Sequence, residues 1–229
     1  MNYISLGSEC SSAAALRSLN LRNFALPFDW VQTKYNQLYN CLYDDFSRFH
    51  TNLRLSVNKK RIIDDYGIEY PHDYPTCSSC LDNDITTFGE DVIVDHWQDY
   101  VSDVSLKYAR RIERFRNVFK EVQPIIVLFR SSLYYANQIK LLLQSKYNRK
   151  DIYFVVATYE TQSPYLDIVV CDPEKNGTWN DEAIWLQGIV TLTANIMQNR
   201  NLSSNYNNTN QLFILSRFRR PSSMAMIKQ

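Results

Sequence analysis

Pro124-Ile125-Ile126-Val127-Leu128-Phe129 is an unbroken apolar run that leads, through a short polar turn, into a helical pattern from Ser132 to Ser145. Two further runs follow, Ile152 to Thr158 (IYFVVAT) and Leu166 to Cys171 (LDIVVC). A strand with one wet face alternates apolar and polar side chains. Continuous Val- and Ile-rich runs separated by a helix instead describe strands covered on both faces of a mainly parallel sheet. Toward the amino terminus, Leu106, Tyr108, Ile112, Phe115, Phe119 and Val122 recur at helical spacing, and Asn2 to Leu6 (NYISL) is one more short apolar run. Asp181 to Gln198 reads as a closing helix. The expected fold is therefore α/β, a mainly parallel sheet of about four to five strands flanked by helices.

Two stretches complete the organisation. Thr33 to Phe49 carries Tyr35, Leu38, Tyr39, Leu42 and Phe46 at helical spacing and predicts a second core-facing helix. Residues 51–103 have poor periodicity, collect Asp, Pro, Ser and Cys, and contain or adjoin all three histidines, which marks an irregular functional insertion. One α/β domain over residues 1–198 is expected, followed by a polar, Asn-rich linker and tail over 199–229.

Composition narrows the function. With 25 Lys plus Arg against 24 Asp plus Glu, the chain has no global field to draw nucleic acid or an anionic membrane. No run reaches the roughly 18 apolar residues of a membrane span, and MNYISLGSEC lacks the charged start and long apolar segment of a signal peptide, so a cytoplasmic protein is expected. Five scattered cysteines fit reduced thiols better than a disulfide framework. Five glycines, none closely spaced, build neither a dinucleotide fingerprint nor a P-loop. The many Asn, Tyr, Ile and Lys residues suit a viral or low-GC bacterial chain.

The chemistry points to the turn Gly7-Ser8-Glu9-Cys10. A short strand there hands over to the helical residues Ser11 to Arg17, at the end of the sheet where open α/β folds bind ligands. Unpaired amide N–H groups and the helix dipole at such a place favour a thiolate and can also donate to an oxyanion. Cys10 is thus a candidate nucleophile, with Gly7, Ser8, Glu9 and Ser11 around the substrate. A thiol nucleophile needs a base, and the choice lies among His50, His72 and His96. His50 reads as a cap or surface residue. His72, in Tyr70-Pro71-His72-Asp73-Tyr74-Pro75, and His96, in Asp95-His96-Trp97, both stay open. Asp29 and Asp172 are candidates to orient the histidine. Trp30, Arg111 and Arg114 are candidates to bind substrate, the arginines on a basic helix stripe suited to an anionic group. His72, Cys77 and Cys80 could ligate a structural zinc, but a lone CxxC is a weak signal, and no cofactor is expected.

These residues also carry a resemblance. Ser5-Leu6-Gly7-Ser8-Glu9-Cys10, Leu16-Arg17, Leu21-Arg22, Pro27-Phe28-Asp29-Trp30, the stretch Tyr66 to Tyr74, the helix Tyr108 to Phe115 and Leu128-Phe129-Arg130 resemble the DUF1796 family, described as candidate papain-like cysteine peptidases. The resemblance implies Cys10 as nucleophile and His72 as its base, acting on an acyl or peptide substrate. It also implies a cysteine on a long helix beside an antiparallel barrel, whereas the strands here read as parallel. A nucleophile between strand and helix is similar to SGNH-type esterases, with Cys10 in place of their serine, though no Asp-x-x-His follows near the C-terminus. Glycan-modifying activity, such as a glycosyltransferase using Arg111 and Arg114, and a silent interaction domain are the competing expectations.

Overall fold

The computed structural model describes residues 1–77, 91–160, 162–171 and 182–198. Residues 1–192 form one unit; of the second, 193–229, only 193–198 are described, as helix. Four strands make the main sheet: β1 (Asn2–Leu6), β5 (Ile125–Arg130), β6 (Ile152–Ala157) and β7 (Ile168–Cys171), in the order β1-β5-β6-β7. All three pairings are parallel, with Leu6 opposite Phe129 and Phe129 opposite Val156. The apolar runs are continuous because both faces are covered: Ile125 to Phe129 are all buried, as are Phe154 to Ala157. Each such side chain removed from water contributes on the order of 1.5–3 kcal/mol.

Helices α1 (Ser11–Ser18), α2 (Tyr35–Tyr43), α3 (Val101–Val118), α4 (Leu133–Tyr147) and, within this unit, residues 182–192 of α5 (182–198) flank this sheet or connect its strands. Ser132 caps α4 by accepting the Tyr135 N–H, and Asn148 ends it in the left-handed conformation (φ 50°). The predicted helix over Thr33 to Phe49 is shorter than expected. Asp45 and Phe46 both take positive φ (58° and 65°), and the Phe46 N–H returns to Cys41 O (2.8 Å), which closes α2 a turn early. Phe46 and Phe49 still reach the core from this turn, so their spacing imitates a helix.

Residues 51–77 are more ordered than their sequence suggests. They form a small antiparallel sheet, β2 (Arg54–Leu55), β3 (Ile62–Ile63) and β4 (Glu69–Tyr70), in the order β2-β3-β4. Two-residue strands are too short to show a period. Gly67 (φ 83°) makes the turn before β4, donating to Asp64 O at 2.9 Å. An aromatic cluster ties the insertion to the sheet's helices: Phe49 lies 5.9 Å from Phe28, 5.8 Å from Tyr70 and 5.2 Å from Tyr108, all tilted or edge-to-face. A 3₁₀ turn, Trp97–Tyr100, then leads into α3. Among the described residues no helix is long and apolar enough to cross a membrane.

Candidate active site

The turn after β1 is built by close backbone approach. A Cβ on Gly7 would stand 2.7 Å from Phe28 O and 3.0 Å from Glu9 O, both backbone atoms that cannot step aside. Thr33 Oγ1 donates to Gly7 O, and Thr33 N–H donates to Ser8 O at 3.4 Å. Phe28, by its carbonyl, and Thr33, by its two hydrogen bonds, thus brace the turn. Gly7→Ala is expected to destabilise the fold by about 1–3 kcal/mol, the usual cost of overpacking, read as a lower denaturation midpoint.

Cys10 occupies the N-cap position of α1 with helical backbone angles (φ −73°, ψ −12°) and is half-buried. Its Sγ lies 3.5 Å from His72 Nε2, so the two candidates 62 residues apart in sequence meet in space. Trp30 meets the His72 ring edge-to-face at 6.4 Å, and the Arg22 guanidinium sits 5.5 Å over Trp30. Among the described residues, Cys10 is the only hydrogen-bonding partner of the His72 ring. For the thiol to donate to Nε2, the imidazole proton must sit on Nδ1.

Electrostatics define the resting state. Burial, with the Glu9 carboxylate behind it, pushes the Cys10 thiol up to about 11. Burial pulls His72 below its ordinary value, against the opposing charge of Asp73. At neutral pH the pair is therefore a thiol facing a neutral imidazole, not a thiolate facing an imidazolium. Burial and the Glu9 charge outweigh the backbone hydrogen bond that favours the thiolate.

The other expected residues fall in different places. His96 is exposed, with its ring 6.0 Å from Tyr100. His50 is not a surface cap: it is buried, Nδ1 is 2.9 Å from Ser105 Oγ, Nε2 is 2.8 Å from Tyr74 OH, and burial pushes its pKa down to about 4. The Asp29 carboxylate accepts from Ser5 Oγ, from Leu26 N–H (2.9 Å) and from Arg22 Nη1 (3.1 Å), and no histidine joins it. Asp172 and Cys80 lie outside the described residues. The described residues hold no group of three or more side chains that could bind a metal. On α3, Arg111 stacks its guanidinium 5.2 Å over Tyr108 and Arg114 lies 5.9 Å over Phe24.

An open groove of about 470 Å³ runs along the carboxyl ends of β1, β5 and β6, lined by Ser8, Glu9, Arg130, Ser131, Thr158 and Tyr159 among others. This is where parallel sheets bind ligands. Arg130 pairs with Glu9, and Ser8 Oγ donates to Arg130 O at 3.2 Å. Arg130 was not among the expected binding residues. Its signal was its place, the last residue of a strand parallel to β1.

Residues 1–156 match the family described as "Putative papain-like cysteine peptidase (DUF1796)". The chain belongs to the DUF1796 family. No curated protein and no solved structure matches it significantly. The match spans β1, the Cys10 turn, the insertion with His72, and the parallel strands through β5 and most of β6. Within this DUF1796 chain the candidate cysteine follows a parallel strand and opens an eight-residue helix, and the described antiparallel strands are confined to β2–β4. The long-helix, antiparallel-barrel arrangement that the resemblance implied is not the one seen.

Proposed function

We propose that this DUF1796 protein is a thiol-dependent acyl hydrolase or acyltransferase in which Cys10 is the nucleophile and His72 the general base. The observation that carries the reading is the 3.5 Å approach of Cys10 Sγ to His72 Nε2. A substrate enters along the groove beside Ser8 and Glu9. As its acyl carbon meets Sγ, the thiol proton passes to Nε2, so sulfur attacks with the charge of a thiolate it does not hold at rest. The carbonyl oxygen becomes an oxyanion next to the first amide N–H groups of α1, Ser11 and Ser12, at the positive end of the helix. Collapse breaks the bond to the leaving group, which takes the proton from His72. Water or another acceptor, deprotonated by His72, then cleaves the thioester and restores the thiol.

The pH profile tests this assignment. Acylation of Cys10 by a p-nitrophenyl ester, resolved by peptide mass spectrometry, should fall at acid pH with a midpoint below 6.5, because a His72 with depressed pKa stays basic until then. The rate should hold level through neutral pH and rise again only toward about 11, where the thiol itself ionises. A single limb near 9, the value of an ordinary thiol, with no acid limb, would show that Cys10 reacts alone.

A further inference from the structure

The His72 ring is half-buried and among the described residues makes one hydrogen bond, to its own reaction partner. No third described side chain orients it through Nδ1. Among the described residues, restraint beyond the packing of Trp30 comes through the backbone that carries the ring, and the flanking residues are firmly held. The Asp73 side chain is almost fully buried; one carboxylate oxygen pairs with Lys107 Nζ and the other accepts from Tyr108 OH at 2.6 Å. Tyr74 OH meets His50 Nε2 at 2.8 Å, and His50 Nδ1 meets Ser105 Oγ at 2.9 Å. Ser105, Lys107 and Tyr108 lie on one turn of α3. Pro71 and Pro75 fix φ on either side of the segment.

We propose that Asp73 is the positioning residue for His72, pinning the backbone that carries the imidazole to Lys107 and Tyr108 of α3 without touching the ring. The inference rests on the Cys10–His72 reading. It places the third member of the arrangement one residue from the base in sequence, acting through the main chain, where a triad uses a side chain on the ring nitrogen. Small displacements matter here: a shift of about 1 Å in a base can cost on the order of 10²-fold in rate. Asp73 also contributes its charge. It faces His72 along with Cys10 and the Arg61 guanidinium, and it raises the His72 pKa where Arg61 and burial lower it. Lys107 holds that charge in place.

The test is the rate and pH profile of Cys10 acylation by the same p-nitrophenyl ester in Tyr108→Phe, Lys107→Met, Lys107→Arg and Asp73→Asn proteins. Tyr108→Phe and Lys107→Met should each slow acylation roughly 10-fold or more, and Lys107→Arg should recover most of the loss. Asp73→Asn should also move the acid limb to lower pH, which a merely structural contact would not do. Modification of exposed Cys77 serves as the internal reference. Unchanged rates and an unmoved limb in these variants, with acylation still abolished by His72→Ala, would overturn the positioning role and leave the dyad standing. Unchanged acylation in His72→Ala would instead remove the reading on which the inference rests. Should Asp73→Asn fail to fold, Lys107→Met, altered at a side chain that is 31% exposed, decides the positioning role by its rate alone.

Discussion

His72→Ala is expected to slow acylation of Cys10 by about 10²–10⁴-fold at pH 7, the contribution of a well-placed general base. The effect should be large because the thiol cannot help itself. With a pKa near 11, only on the order of one Cys10 in 10⁴ would be ionised at neutral pH without assistance. In an enzyme with a resting thiolate, removing the histidine raises the sulfur's pKa; here it removes the only described side chain placed to take the proton. The loss should shrink as pH approaches 11, where hydroxide does the work of the imidazole. Site-resolved mass spectrometry across pH reads both limbs. A loss of less than about 3-fold, constant with pH, would mean that the 3.5 Å contact has no chemical role. The melting temperature should change little, since the ring's described partners are Cys10 and the edge of Trp30.

The largest expected loss of stability comes from a residue that touches neither. Asp64 is fully buried at the turn before β4, and its carboxylate accepts from His50 N–H (3.1 Å), Tyr66 N–H (3.0 Å), Ile68 N–H (2.9 Å) and Tyr70 OH (2.7 Å). Burial pushes its pKa up, and these donors draw it back. Asp64→Ala would leave donors unpaired in the interior, where each lost partner costs about 1–3 kcal/mol. A total of about 3–5 kcal/mol is expected, because the insertion can relax around part of the void. Urea denaturation measures it. Asp64→Asn, which keeps one acceptor oxygen, should cost less. Because the same turn leads into the His72 segment, Asp64→Ala should also depress Cys10 acylation in the fraction that remains folded. A stability loss under about 1 kcal/mol would show that the insertion is held by its aromatic contacts alone.

The parallel sheet was legible because its inner strands β5 and β6 are covered on both faces, so burial wrote itself into sequence as unbroken Ile, Val and Phe. The place of Cys10 in the fold was legible for a related reason: a short strand, a glycine and the start of a helix mark where the sheet opens. The insertion was not. Its strands are two residues long, and its order comes from single polar hubs such as Asp64 and from aromatics contributed by distant segments. Nothing local marks an aspartate as a hub. Asp29, a candidate to orient the histidine, has Ser5, Leu26 and Arg22 as its partners instead and braces the turn. His50 and His72 both lie against aromatic residues, and only the geometry separates the one bonded to Tyr74 and Ser105 from the one facing the thiol.

Treating the purified protein with a p-nitrophenyl ester at pH 7, quenching in acid and mapping the adducts by peptide mass spectrometry tests the central claim most directly. A transient acyl group on the peptide containing Cys10, absent in His72→Ala and decaying with time in the native protein, is the predicted result. Acylation that favours exposed Cys77 over Cys10, unaltered by loss of His72, would contradict it.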